Sequence, residues 1–185
     1  MATSTASPAM SSNDATQAVA LPIDGLAIAS ELRALGVTHV ICVPDTNLKT
    51  VISDLHTPGS PRMIYACTED EAMGINAGLY ITGHRPMLLI QNNGLLACIN
   101  TLKAIALDSK VPTFMLIGQF ARKVNMKVED NPLRVVRLLE PTLDTWGVPH
   151  FRLETPKDLH NIRAAWDAAW DACGPSAAIV GAPTH

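Results

Sequence analysis

Thr68-Glu69-Asp70-Glu71-Ala72-Met73-Gly74-Ile75-Asn76-Ala77-Gly78-Leu79-Tyr80, a turn at Gly83, then Pro86-Met87-Leu88-Leu89-Ile90-Gln91-Asn92-Asn93-Gly94-Leu95 is the stretch whose reading decides the fold. An apolar strand at 63–67 leads into it. A helix then starts on three acids at Glu69 and carries small residues at Ala72, Gly74, Ala77 and Gly78. A second apolar strand at 87–90 ends in the polar corner Gln91-Asn92-Asn93-Gly94. Strand, helix and strand in that order make a parallel crossover unit. Its two strand ends carry a carboxylate and a row of amides, and open α/β sheets bind ligands beyond the carboxyl ends of their strands.

The pattern repeats on both sides. Asp24 caps a helix that ends at Gly36, with Leu26, Ile28, Ala29, Leu32 and Leu35 on one face. The β-branched run 37–43 reads as a buried strand, and Pro44-Asp45-Thr46-Asn47 as the turn after it, with a short helix at 48–55. Beyond the central unit come a helix at 94–108, a strand at 112–117 and a polar segment at 118–131 holding Arg122, Lys123 and Lys127. That segment reads as a long mobile loop. Residues 132–146 read as a helix interrupted near Pro141, 150–153 as a strand, 156–173 as a helix begun by Pro156, and 176–180 as the last strand. The expected fold is doubly wound α/β: a mostly parallel sheet of about six strands with helices on both faces.

The 185 residues suffice for one domain with a real core. Hydrophobic residues make up 48% and charged residues 17%, so part of the surface is expected to lie under a partner. A net charge of -3 without any basic run points away from nucleic acid. No apolar run reaches the length of a membrane span. The four cysteines are widely spaced, without C-x-x-C or metal-type Cys/His pairing, as in a reduced, cytoplasmic protein. Residues 1–20, rich in Ala, Ser and Thr, read as a disordered tail preceding a domain at 21–185. They lack the basic start of a secretory signal and the Arg of a transit peptide. G-x-G-x-x-G, G-x-x-x-x-G-K-[ST] and G-x-S-x-G are all absent, which leaves nucleotide binding resting on fold alone.

Three segments in order carry a resemblance: Val43-Pro44-Asp45-Thr46-Asn47-Leu48-Lys49; Glu69 with Ala77-Gly78 and Tyr80 after it; and Gln91-Asn92-Asn93-Gly94-Leu95 with Ile99-Asn100. Together they resemble the pyrimidine-binding domain of thiamine diphosphate (ThDP) enzymes, nearest to sulfopyruvate decarboxylase α subunits and the N-terminal part of phosphonopyruvate decarboxylase. The resemblance implies that a glutamate hydrogen-bonds a ring nitrogen of the aminopyrimidine and so activates the cofactor toward a 2-oxo acid. By register the role falls to Glu69, nine residues before Gly78, with Glu71 as the fallback. The plain alternative is that three acids simply favour the helix dipole.

Pro44 and Asn93 are the further cofactor contacts that the resemblance implies. Asp45, Thr46, Asn47, Lys49, Gln91 and Asn92 are the substrate contacts. Each has an ordinary alternative: a turn after a strand, a solvated lysine, a helix cap. Relatives carry histidines where this chain has amides, which leaves the proton-transfer scheme open. Arg122 and Lys123 are either bases that close over an acidic substrate or exposed loop residues. Diphosphate and Mg²⁺ are held in the family through a Gly-Asp-Gly motif and a later Asn. The chain has no Gly-Asp-Gly and no metal site is expected in it. The resemblance therefore implies a partner β subunit that carries this motif, in an α2β2 assembly or a multiple of it. The expected activity is decarboxylation of a small anionic 2-oxo acid. A ThDP carboligase or lyase subunit, and a non-catalytic ligand-binding or regulatory module, are the alternatives.

Overall fold

The computed structural model describes residues 19–185. The tail expected at 1–20 lies outside the described residues up to residue 18. Val19 and Ala20 are in place: both N–H groups donate to the Val124 carbonyl oxygen, at 2.7 and 3.2 Å, and Ala20 is buried. The docked chain thus begins before the expected boundary. The segment crosses the carboxyl end of the sheet, with Leu21 N–H donating to the Glu154 carbonyl and Ile23 N–H to that of Pro183.

Helix α1 (Gly25–Ala34) is capped by Asp24, whose carboxylate accepts from Leu26 N–H. Then follow β1 (His39–Cys42), α2 (Lys49–Asp54), β2 (Arg62–Tyr65), α3 (Glu69–Ile81) and β3 (Pro86–Gln91). Next come α4 (Asn92–Ala97) and α5 (Ile99–Thr101), which runs into a π-helical stretch at Leu102–Asp108, and then β4 (Thr113–Gly118). The chain closes with α6 (Arg134–Arg137), α7 (Leu139–Thr145), β5 (His150–Leu153), a 3₁₀ turn (Pro156–Leu159), α8 (His160–Ala172) and β6 (Pro175–Val180). The six strands pair in the order β2-β1-β3-β4-β6-β5, and every pairing is parallel. This is the doubly wound sheet expected from the sequence.

Two departures have local causes. The break expected at Pro141 falls instead at Leu138, and Pro141 sits inside the first turn of α7. A proline there forfeits only an N–H that has no intrahelical acceptor. The helix expected from 94 begins at Asn92, whose side-chain oxygen accepts from Asn93 N–H at 3.0 Å.

β4 and β6 are buried along their whole length and β3 up to the partly exposed Gln91, and their side chains alternate between two cores. Val40, Cys42, Met87, Leu89, Phe114 and Leu116 pack with α1, α2 and α8. Ile41, Leu88, Ile90, Met115 and Ile117 pack with α3, α4 and α7. Trp166 of α8 stands edge-on to Phe114 with ring centroids 5.7 Å apart, a contact whose truncation costs about 3–5 kcal/mol in a core. Asn76, fully buried on α3, donates to the Pro112 carbonyl and to Thr113 Oγ1, each at 3.1 Å. Those bonds fix α3 across the start of β4 and so set where its acidic end points. No helix among the described residues is long and apolar enough to cross a membrane.

Candidate active site

After β1 the chain turns outward to β2, and after β3 it turns the other way to β4, so the strand order reverses between β1 and β3. A crevice at such a reversal is where open α/β sheets bind ligands. One side-chain bond spans it: Gln91 Nε2 donates to Asp45 Oδ1 at 2.9 Å. Asn47 N–H donates to the same oxygen at 3.1 Å, closing the turn. Gln91 Oε1 accepts from Asn93 Nδ2 at 2.8 Å, which fixes the orientation of the Gln91 amide. Asp45 is only 3% exposed, and its Oδ2 has no hydrogen-bond partner. That oxygen lies against Gly118: a Cβ built there would stand 3.0 Å from Asp45 Cγ, with Oδ2 closer still. Burial holds the Asp45 carboxyl above the usual carboxylate range, against the opposing pull of its bonds from Gln91 and Asn47.

The three acids at the start of α3 separate in structure. Glu71 accepts from Cys67 N–H at 2.7 Å, while Thr68 Oγ1 accepts from Glu71 N–H at 3.2 Å; together they close the helix start. Asp70 accepts from the Thr101 hydroxyl. Both are thereby committed to local structure. Glu69, half-buried, has no such bond among the described residues, and its side chain lies over Gly94 of α4. A Cβ on Gly94 would stand 2.6 Å from Glu69 Cγ, with the carboxyl nearer still. The absent side chain is what makes room for the carboxylate.

The remaining sequence candidates divide. Pro44, Thr46 and Lys49 are exposed and, with Asp45 and Ile52, line an open depression of about 240 Å³. Asn92 is fully buried: its amide reaches the carbonyls of Phe120 and Val135, at 3.3 and 3.4 Å, and so ties α4 to the following segments. Asn93 is the exposed member of the amide pair. The structure therefore brings Asp45, Gln91 and Asn93 together at the reversal and turns Asn92 inward.

The segment at 118–131, expected to be mobile, is packed. Gln119, Val128 and Asn131 are buried, and the Arg122 side chain is 2% exposed. Arg122 Nη1 donates to the Lys123 and Met126 carbonyls, and Nη2 meets both Glu154 oxygens at 3.4 Å. Glu154 is 32 residues away, so a loop arginine gave no local sign of this partner. Burial lifts the Glu154 carboxyl above its ordinary range despite Arg122. Gly94 and Gly118 were likewise missed as site residues. The available signal was a glycine at the end of a strand or in the first turn after one, where backbone and ligand approach closely. A second cavity, of about 270 Å³, lies beside Arg122 and the turn after β6. Among the described residues no cluster of three His, Cys, Asp or Glu side chains is placed to hold a metal.

Residues 25–136 match the family described as thiamine pyrophosphate enzyme, N-terminal TPP binding domain. The sulfopyruvate decarboxylase subunit alpha of Methanocaldococcus jannaschii is 28% identical over 74% of this chain and 80% of its own. Its namesake from Methanococcus maripaludis is 28% identical over 69% and 75%, and that from Methanothermobacter thermautotrophicus 25% identical over 74% and 86%. A solved 2-oxoglutarate:ferredoxin oxidoreductase from Magnetococcus marinus, with 2-oxoglutarate, coenzyme A and succinyl-CoA bound, superposes with a TM-score of 0.59 at 15% identity. That match spans 89% of this chain and 30% of the other, and it establishes the fold alone.

Proposed function

The chain belongs to the thiamine pyrophosphate enzymes, as their N-terminal TPP binding domain, and from that premise we propose that it is the α, pyrimidine-binding subunit of a two-chain ThDP-dependent 2-oxo acid decarboxylase of the sulfopyruvate type. One observation carries the reading: of three consecutive acids, Glu69 alone keeps a carboxylate free of hydrogen bonds among the described residues, over a glycine that leaves it room. A carboxylate so held fits a ring nitrogen of an aminopyrimidine.

When bound, ThDP supplies the electron sink that loss of CO₂ from a 2-oxo acid requires. Glu69 would hold the proton-bearing form of the pyrimidine ring nitrogen, a proton-handling role of the kind worth about 10²–10⁴-fold in rate. Pro44 and Asn93 would contact the cofactor ring, with Asn93 held by Gln91. Asp45 and Gln91, bonded to each other across the strand reversal, orient the reacting end of the acid with Thr46 and Asn47. Burial favours the protonated form of Asp45 more than in an ordinary exposed carboxyl. Lys49 draws the anionic substrate in. Asn92 acts behind them as a positioning residue through its bonds to Phe120 and Val135.

Diphosphate and Mg²⁺ belong to a β subunit with a Gly-Asp-Gly motif and a later Asn, with two of each chain as the minimal unit, in the cytoplasm. The names of the relatives as alpha subunits support this division. Calorimetry with ThDP and Mg²⁺ tests it. The chain by itself is expected to bind weakly and turn nothing over. Mixed with the subunit carrying Gly-Asp-Gly it is expected to bind tightly and decarboxylate. Tight binding and turnover by the chain alone would overturn the two-chain reading.

A further inference from the structure

The cavity of about 270 Å³ beyond β4 and β6 is walled by Thr46, Asn47, Arg122, Gly181, Ala182 and Thr184, among others, and no acid among the described residues lines it. It shares Thr46 and Asn47 with the corner after β1. Thr184 Oγ1 donates to the Asn47 carbonyl at 2.8 Å, which joins its two sides. Among the described residues Arg122 is the only ionised group on the wall. Its burial is almost complete, yet its pairing is poor. The contacts to Glu154 are 3.4 Å, well beyond the roughly 2.7–2.9 Å of a charge-assisted hydrogen bond. Its Nε is buried with no partner among the described residues. Glu154 sits behind Gly181, where a Cβ would stand 2.8 Å from its carboxylate. Nη1 is anchored by the Lys123 and Met126 carbonyls, but the buried edge formed by Nε and Nη2 is under-bonded, which costs stability unless something else completes its bonding.

We propose that this cavity is the subsite for the second, distal anionic group of the 2-oxo acid, a sulfonate, phosphonate or carboxylate, and that Arg122 is the cation that selects it. The proposal rests on the decarboxylase reading for its substrate, but the anion site is observable without turnover. A distal anion that enters past Thr46 and Asn47 meets the unpartnered Nε and takes over the long Nη2 contacts. Glu154 then serves as the weak placeholder that keeps the guanidinium in position. The cavity holds about nine waters at roughly 30 Å³ each, enough for such a group and part of its solvation shell. Nearly all of the fork of Arg122 is hidden from solvent, so the field acting on the anion is screened much less than at the surface.

The test uses the full chain and sulfoacetate, which has a sulfonate and a carboxylate but no oxo group to react. The Nε–H resonance of Arg122, identified by its disappearance in Arg122→Lys, is expected to shift saturably with sulfoacetate in the wild type. Glu154→Gln, which removes the competing carboxylate, is expected to tighten binding. In the reconstituted pair, Arg122→Gln is expected to lower kcat/KM for sulfopyruvate by about 10- to 100-fold, mostly through KM, as loss of a hydrogen bond to a charged group does. Turnover of pyruvate, which has no distal anion, should fall by much less. A wild-type Nε–H that sulfoacetate leaves unmoved overturns the anion site. So does an Arg122→Gln enzyme equally impaired on both substrates, since that marks a loop fastener. If the shift occurs but the pair turns over no 2-oxo acid, the anion site stands and the decarboxylase reading fails.

Discussion

Replacing Gly94 by alanine separates the site from the fold more sharply than replacing Glu69 itself. The new Cβ would stand 2.6 Å from Glu69 Cγ and closer to the carboxyl. Ordinary carbon contacts need about 3.5 Å, so the Glu69 side chain must withdraw by about 1 Å at Cγ and further at its oxygens. It is free to do so, having no hydrogen bond to break. Misplacing a catalytic group by about 1 Å costs roughly 10²-fold, and full loss of the carboxylate about 10²–10⁴-fold; decarboxylation by the reconstituted Gly94→Ala enzyme should fall into that range. Stability should move the other way. Gly94 lies inside α4, where alanine is better than glycine by about 0.5–1 kcal/mol, which raises Tm by about 1–4 °C in a chain of this size. Steady-state kinetics beside thermal unfolding is the assay. Full activity in Gly94→Ala would refute the placement of the working carboxylate over this glycine. Unfolding would refute the claim that only a mobile side chain occupies the space.

Glu69→Gln should lower turnover by about 10²–10⁴-fold at unchanged Tm, whereas Glu71→Gln, whose amide oxygen can still accept from Cys67 N–H, should stay within a few-fold in activity and close to the wild type in stability; paired kinetics and melts decide. Asp45 is expected to hold its proton in the folded chain to a higher pH than in the unfolded one. Stability attributable to it is therefore complete below the unfolded value of about 3.9 and declines as pH rises through the folded value. Asp45→Asn should thus gain on the wild type as pH increases from 4 to 7 in urea titrations, while losing activity; parallel stability curves would contradict this. Ile23→Ala should cost about 2–5 kcal/mol, because Ile23 is fully buried and bridges to Thr184. A change below 1 kcal/mol in chemical denaturation would mean that the segment at 19–23 does not hold the carboxyl end of the sheet together.

The alternation of apolar strands with amphipathic helices already specified a doubly wound sheet, because strands buried on both faces need continuous apolar runs such as 87–90 and 112–117. The order of Asp45, Glu69 and Gln91 along the chain also placed three polar corners at strand ends. Local chemistry sufficed there, since capping by Asp24 and the acids after Thr68 are read over a few residues. What the sequence could not distinguish was which of three adjacent acids is free. That depends on Thr101 reaching Asp70 and on Gly94 lying beneath Glu69, contacts made across 31 and 25 residues. The same holds for Asn92 against Asn93, for the burial of Arg122 against Glu154, and for the docking of Val19 and Ala20 on Val124. Periodicity reports which face of an element is buried. Which polar group on that element finds a partner is a matter of packing between distant segments, and only the folded chain decides it.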